Sequence, residues 1–248
     1  MLARLRQAGL VWPTLCAIAA LAVLVALGTW QLERKQWKEG LIARIAARVH
    51  ADPIPLARAE ELLRGGGDVE YLHVAARGRF HHDKERYLYA PSPGGLGWHV
   101  YTPLETASGR VVWVNRGFVP DAMKAPDRRP GGQVQGEVEV HGLVRANARK
   151  GAFTPDNDVA GNLWYWPDVA GMSASAFGGR LAADFSPLAL DADERPEAPG
   201  GLPRGGVTRL ALPNNHLQYA VTWYGIALTL IGVYLAFAAG RLRLSTPK

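Results

Sequence analysis

The residues best suited to chemistry in this chain sit together at positions 213–224, Pro-Asn-Asn-His-Leu-Gln-Tyr-Ala-Val-Thr-Trp-Tyr. One histidine, two asparagines and three aromatic rings there open an apolar run that carries no charge from Ala220 to Ala239. An imidazole at such a junction can ligate haem iron, and flat rings beside it can line a porphyrin. A helix starting near Asn215 places His216, Ala220 and Trp223 on one face, with Tyr219 beside them. The same residues have a second reading, in which Asn214 or Asn215 caps the helix and Trp and Tyr belong to a membrane-interface belt. On the residues alone, both readings stand.

The other histidines offer less. His81 and His82 are adjacent, so on a strand they point to opposite faces and cannot readily chelate one ion; an exposed polar turn is expected. His99 reads as a hydrogen-bonded strand histidine, while His50, His73 and His141 lack flanking partners. Asp191, Asp193 and Glu194 read as a solvated acidic cluster in a Pro-rich loop at 191–203. Gly65-Gly66-Gly67 lacks the Lys-Ser/Thr of a phosphate loop. No Gly-x-Ser-x-Gly elbow, His-Glu-x-x-His helix or Gly-x-Gly-x-x-Gly occurs, so the expectation is a protein that is not an enzyme.

What must position these residues follows from hydropathy. About twenty residues of helix, at 1.5 Å each, cross a bilayer core of ~30 Å. Residues 9–30 and 219–240 both meet that length. The first is read as an uncleaved anchor, since its apolar core exceeds a signal peptide's and ends without a clear cleavage site. The expected organisation is a tail (1–8), a first spanning helix (9–30), a central domain (31–218), a second spanning helix (219–240) and a tail (241–248). Both termini then lie on one side of the lipid bilayer.

The formal charge of +6 comes from the flanks: Arg4, Arg6, Arg241, Arg243 and Lys248 lie in tails without an acid. The remaining basic residues nearly balance the 22 acids, which argues against nucleic acid as a partner. Basic residues also crowd the far side of the first helix (Arg34, Lys35, Lys38, Arg44, Arg48), so charge counting leaves the orientation open. Cys16 lies in the first apolar run, so the domain has neither a disulfide nor a thiolate metal site.

Within the central region, Leu32, Leu41, Ile42, Ile45 and Val49 keep a helical period, predicting an amphipathic helix over 31–50 that Pro53 and Pro55 end. A turn-rich stretch follows. Period-two patterning then predicts strands at 71–80, 86–90, 97–104, 110–115 and 136–145, with weaker ones at 160–166 and 205–212. A short helix is predicted at 169–178. The fold class is therefore an α+β membrane protein, with two spanning helices flanking a β-rich, mainly antiparallel domain. Small-residue stripes (Ala19, Ala22, Ala26, Thr29 and Gly225, Thr229, Gly232, Ala236) predict that the two helices pair; a homo-oligomer is a separate possible association.

Three blocks carry a resemblance across nearly the whole chain. The first is Gly28-Thr29-Trp30-Gln31-Leu32-Glu33-Arg34-Lys35-Gln36-Trp37-Lys38. The second joins Gly97-Trp98-His99-Val100-Tyr101-Thr102-Pro103-Leu104 to Val114-Asn115-Arg116-Gly117-Phe118-Val119-Pro120. The third is the segment from Asn214 to Gly225. In these the chain resembles the surfeit-locus-one family of cytochrome c oxidase assembly proteins, in its bacterial two-anchor form, with Phe118 where that family is expected to have tryptophan. The resemblance implies an assembly factor in the bacterial inner membrane, its domain outside the cytoplasm, that assists haem a insertion into oxidase subunit I. It implies His216 as the haem a iron ligand; on that reading Tyr219 and Trp223, with Trp30 and Trp37 of the first helix, would flank the macrocycle, and haem a synthase is a possible partner. Asn115-Arg116-Gly117 would contact the oxidase or hold the helices in register, with Arg116 either a propionate partner or a structural arginine. The alternatives are a haem-independent scaffold for nascent subunit I and, further off, a membrane-anchored enzyme.

Overall fold

A computed structural model describes residues 6–91, 95–146, 149–178, 184–208, 210 and 212–244. Arg4 and Lys248, assigned above to the tails, lie outside the described residues. The chain forms two compact units, residues 1–44 with 211–248 and residues 45–210.

The first unit is built from two helices, and both are long and apolar enough to cross a membrane. Helix α1 (Val11–Val49) is 39 residues long, roughly 58 Å at 1.5 Å per residue. The spanning helix expected at 9–30 and the amphipathic helix expected at 31–50 are thus one uninterrupted helix. Pro13 is tolerated because it falls in the first turn, where backbone N–H groups have no intrahelical acceptor. The second long helix, His216–Leu244, begins next to the expected start near Asn215, places His216 in its first turn and extends past both ends of the spanning segment expected at 219–240.

These helices pair, but not through the predicted stripes. The less exposed positions of α1 include Thr14, Ala17, Leu21, Leu24, Gly28, Gln31, Lys35 and Lys38, and those of the second helix include His216, Ala220, Trp223, Ala227, Leu230 and Tyr234. Both series step alternately by three and four residues, the spacing of a coiled-coil seam. Thr14 Oγ1 meets the Tyr234 hydroxyl at 2.5 Å, Thr29 Oγ1 meets that of Tyr224 at 3.1 Å, and Lys38 Nζ donates to the Pro213 carbonyl. Ala19, Ala22, Ala26, Gly225, Thr229, Gly232 and Ala236 are exposed instead. Larger side chains line the seam, and among its described glycines Gly28 is the one approached closely: an added Cβ would stand 2.8 Å from the Tyr224 ring. Gly28→Val is therefore expected to cost the helix pair about 1–3 kcal/mol by overpacking. SDS titration of the micelle-bound protein, followed by Trp223 fluorescence, measures it.

In the second unit, the strands are β1 (Ile54–Pro55), β2 (His73–Phe80), β3 (Arg86–Tyr89), β4 (Gly97–Glu105), β5 (Val111–Pro120), β6 (Glu137–Arg145), β7 (Leu163–Trp164) and β8 (Phe185–Ala192). The ladder β2-β6-β8-β5-β4 returns to β2 and closes a five-stranded barrel, with β1 added to β2, β3 added to β4 and β7 added to β3. A ring of five cannot alternate direction throughout, and the single parallel pair of the ring is β5–β8. The expected mainly antiparallel domain is thus a mixed, mostly antiparallel sheet.

Val74, Ala76, Leu104, Val112, Val114, Val144, Leu188 and Leu190 form the main core cluster, joined by Leu56 and Ala59 of a short helix α2 (Leu56–Arg64). Outside the barrel, Trp113 and Trp164 are fully buried with Met172 of helix α3 (Val169–Phe177), and the Trp113 indole N–H donates to Ser173 Oγ at 2.9 Å. Strand β5 is therefore covered on both faces, which explains its unbroken Val-Val-Trp-Val run. Asp168 caps α3 by accepting from the Gly171 N–H at 3.0 Å.

Four expectations are corrected. The turn-rich stretch after Pro55 contains α2. Strand β8 takes Asp191 and Ala192 out of the predicted 191–203 loop. The weak strand at 160–166 shrinks to Leu163–Trp164, and the described residues of 205–212 contain none.

Candidate functional site

His216 stands in the helix seam, and its partner there is Gln31. Its Nδ1 lies 2.7 Å from Gln31 Oε1. A carboxamide oxygen only accepts, so Nδ1 donates here, and in the neutral imidazole Nε2 keeps the lone pair. This is how metal-binding histidines are held: one nitrogen anchored and oriented, the other presented to the metal. Two residues earlier, Asn214 Oδ1 is buried without a hydrogen-bond partner among the described residues. Asn214 therefore does not cap the helix through its side-chain oxygen, which leaves Asn215 for the capping reading, and the orphaned acceptor would welcome a donor.

The remaining predicted site residues are distributed around this pair. Trp223 shares the seam, two helical turns below His216 and partly buried. Tyr219 is 56% exposed on the flank of its helix, and Trp30 is 53% exposed beside Gln31. Trp37, also exposed, lies under the Arg34 guanidinium, 3.9 Å from its ring centroid. The structure thus joins His216 to Gln31, a residue not singled out from sequence. The three-four spacing of α1 through Gly28, Gln31 and Lys35 is the signal that could have found it.

In the β-domain the quoted motif residues turn inward. Asn115 Nδ2 donates to Asp191 Oδ1 at 2.8 Å, and Asn115 Oδ1 accepts from the Gly117 N–H at 3.1 Å. Asp191 also accepts from Arg145 (3.0 Å) and Thr208 (2.7 Å), so it is a buried hub rather than a solvated acid. Burial alone would lower the pKa of Arg145, but Asp191 and Glu70 together raise it above its ordinary value.

Arg116 is buried too, and the structural role is the one it occupies. It donates to the Gly132 carbonyl, lies over the Phe80 ring and stands 3.6 Å from Glu85. Glu85, with its side chain 2% exposed, receives a bidentate pair from Arg129 and the Tyr87 hydroxyl at 3.1 Å. Burial pushes the Glu85 carboxyl up, yet hydrogen bonds from His82 and Arg129 and the charges of Arg129 and Arg116 bring it down to about 2. Burial also lowers Arg116 to about 10, with Glu85 opposing that shift and Arg129 adding to it. His82 belongs to this cluster, its Nε2 donating to the Val134 carbonyl at 2.9 Å, while His81 turns to Glu105 at 2.6 Å. The two imidazoles do have separate partners, but the exposed turn expected for them is corrected: His82 is largely buried by the barrel. Neither Asn115 nor Arg116 offers its side chain to a partner protein or a propionate.

A family model described as the SURF1 family matches residues 18–228. The chain is 41% identical over 218 residues to Surfeit locus protein 1 of Xenopus tropicalis, covering 81% of this chain and 67% of that protein. It is 40% identical over 221 residues to the Mus musculus protein of the same name, covering 83% and 69%. A SURF1-like protein of Monosiga brevicollis is 38% identical over 243 residues, covering 93% and 88%.

Proposed function

The chain belongs to the SURF1 family, a family of cytochrome c oxidase assembly factors, and from that premise we propose that it carries haem a during oxidase assembly. His216 holds the iron through Nε2 at the membrane interface, and haem a is its cargo, destined for oxidase subunit I. The protein acts without catalysing a reaction, in a bacterial inner membrane with its β-domain outside the cytoplasm. Haem a synthase, working within the same lipid, is the natural donor.

The observation that carries this reading is the His216–Gln31 hydrogen bond, which fixes the imidazole tautomer and leaves its second nitrogen for a metal. Tyr219 and Trp30 supply exposed aromatic surface near the seam, Trp223 a partly buried ring within it, and the apolar helices below suit an isoprenoid tail.

The test is an optical spectrum of the detergent-purified protein made in cells with the haem a synthesis enzymes. A haem a spectrum is expected from the unaltered chain and is expected to vanish in His216→Ala at unchanged expression. Gln31→Leu is expected to weaken haem retention by about 10–100-fold, the usual effect of losing the group that orients a metal ligand. Equal haem content in His216→Ala overturns the ligand assignment. A haem-free protein that still co-purifies with subunit I establishes the scaffold role instead.

A further inference from the structure

His73 and His141, which lack partners in the sequence, are brought together on the outer face of the barrel. In the β2–β6 ladder Ala75 pairs with His141 and His73 with Leu143, so the two histidines are diagonal neighbours on one face. Their alternate neighbours Val74, Ala76, Val140 and Val144 point into the barrel. Directly after β8, Asp193 donates its backbone N–H to the His141 carbonyl at 3.0 Å, which sets its side chain beside the histidines. One nitrogen from each imidazole and one Asp193 oxygen all lie within 4.8 Å of one another.

The hydrogen bonds around this trio are those of a metal site's outer shell. His73 Nδ1 lies 2.8 Å from the Ala51 carbonyl and His73 Nε2 lies 2.8 Å from Asp193 Oδ2. Both neighbours are acceptors, so the ring bridges them either with two protons or with one proton and a cation in place of the other. His141 Nε2 lies 2.9 Å from Glu139 Oε1, a carboxylate–imidazole pair of the kind that orients a metal-binding ring. The His73 side chain is only 16% exposed, while Asp193 and His141 border a cavity of about 340 Å3.

We propose that His73, His141 and Asp193 form a binding site for a divalent first-row transition ion, with Glu139 and the Ala51 carbonyl as its outer shell. Two imidazoles and one carboxylate suit Zn2+, Co2+ or Cu2+, and three protein ligands leave a position open to water or an exogenous ligand. Donor atoms on a tetrahedral ion with bonds of ~2.0–2.1 Å stand roughly 3.3 Å apart. The trio's donor atoms, now within 4.8 Å of one another, would close to that spacing on binding.

The test uses the full-length protein in detergent, prepared without a histidine tag and stripped with chelator. Titration with Co2+ alone is expected to give a visible ligand-field spectrum that saturates at about one ion per chain and is displaced by Zn2+. The double variant His73→Gln/His141→Gln is expected to lose that binding by at least ~100-fold, and Glu139→Gln by about 10–100-fold. His216→Ala is expected to bind the ion unchanged, which separates this site from the haem reading. Binding by the double variant as tight as that of the unaltered chain overturns the proposal. A second measurement needs no variant: Cu2+ loaded at one equivalent is expected to show nitrogen hyperfine splitting from imidazole, and its absence equally overturns the proposal.

Discussion

Glu85→Gln is expected to destabilise the β-domain by about 3–5 kcal/mol, the usual consequence of removing one partner from a buried ion pair. Glutamine keeps the shape of the side chain but removes its charge. It would leave Arg129, whose side chain is 1% exposed, and Arg116 as two buried guanidiniums without a counter-ion. Arg129 also donates to the carbonyls of Met123 and Lys124, so the loss reaches the short turns between β5 and β6. Chemical unfolding followed by tryptophan fluorescence measures the effect, and a change below about 1 kcal/mol would contradict a buried, coupled cluster.

The same carboxylate sets a pH dependence whose sign follows from its depressed pKa. Glu85 titrates near 2 in the folded protein against an ordinary value of 4.5. A group whose pKa falls on folding stabilises the fold above the unfolded value and loses that contribution as pH falls through the folded one. The domain should therefore lose about 3 kcal/mol from this group between roughly pH 5 and pH 2. Glu85→Gln should be correspondingly less stable near neutrality and flatter across that window.

Gly117→Ala is expected to cost about 3 kcal/mol or more, from backbone strain and a direct collision. Gly117 has φ +118°, where side chains are rarely accommodated, and an added Cβ would fall 1.8 Å from the Arg204 carbonyl oxygen. The neighbouring Phe118 exchanges two backbone hydrogen bonds with Arg204, at 2.8 and 2.9 Å, so the approaching segment cannot simply withdraw. Gly109→Ala is the comparison: φ is +77° there, but no atom lies within 4 Å of the added carbon. That substitution should cost only about 1–2 kcal/mol. Equal losses at the two positions would place the cost in backbone strain alone and remove the steric argument.

Much of the β-domain was legible because strand patterning is local. Alternating or β-branched runs marked β2 to β6 to within a few residues, apart from the extension of β5 to Pro120. Strand β8 escaped because Phe-Ser-Pro-Leu-Ala-Leu-Asp-Ala has no β-branched residue and carries Pro187, which cannot donate to a ladder. A register shift between Val111 and Trp113 absorbs that irregularity. Helix α2 escaped because nine residues with four charges present too short an apolar stripe. The candidate haem ligand was legible as a residue type at a given depth, but its anchor Gln31 lies 185 residues away in the chain.

Sequence by itself determined the two apolar helices, the β-rich segment between them, the near-neutral charge of that segment, and His216 at the start of the second helix. Those are properties of neighbouring residues: hydropathy over about twenty positions and periods of two or near 3.6. Only the tertiary structure decided that five strands close into a barrel, that the helices meet along the His216–Gln31 seam, that Glu85 and Asp191 are buried hubs, and that His73, His141 and Asp193 converge. Each of those depends on which distant segments pair and in what register, and a shift of one residue would send every side chain of a strand to its opposite face.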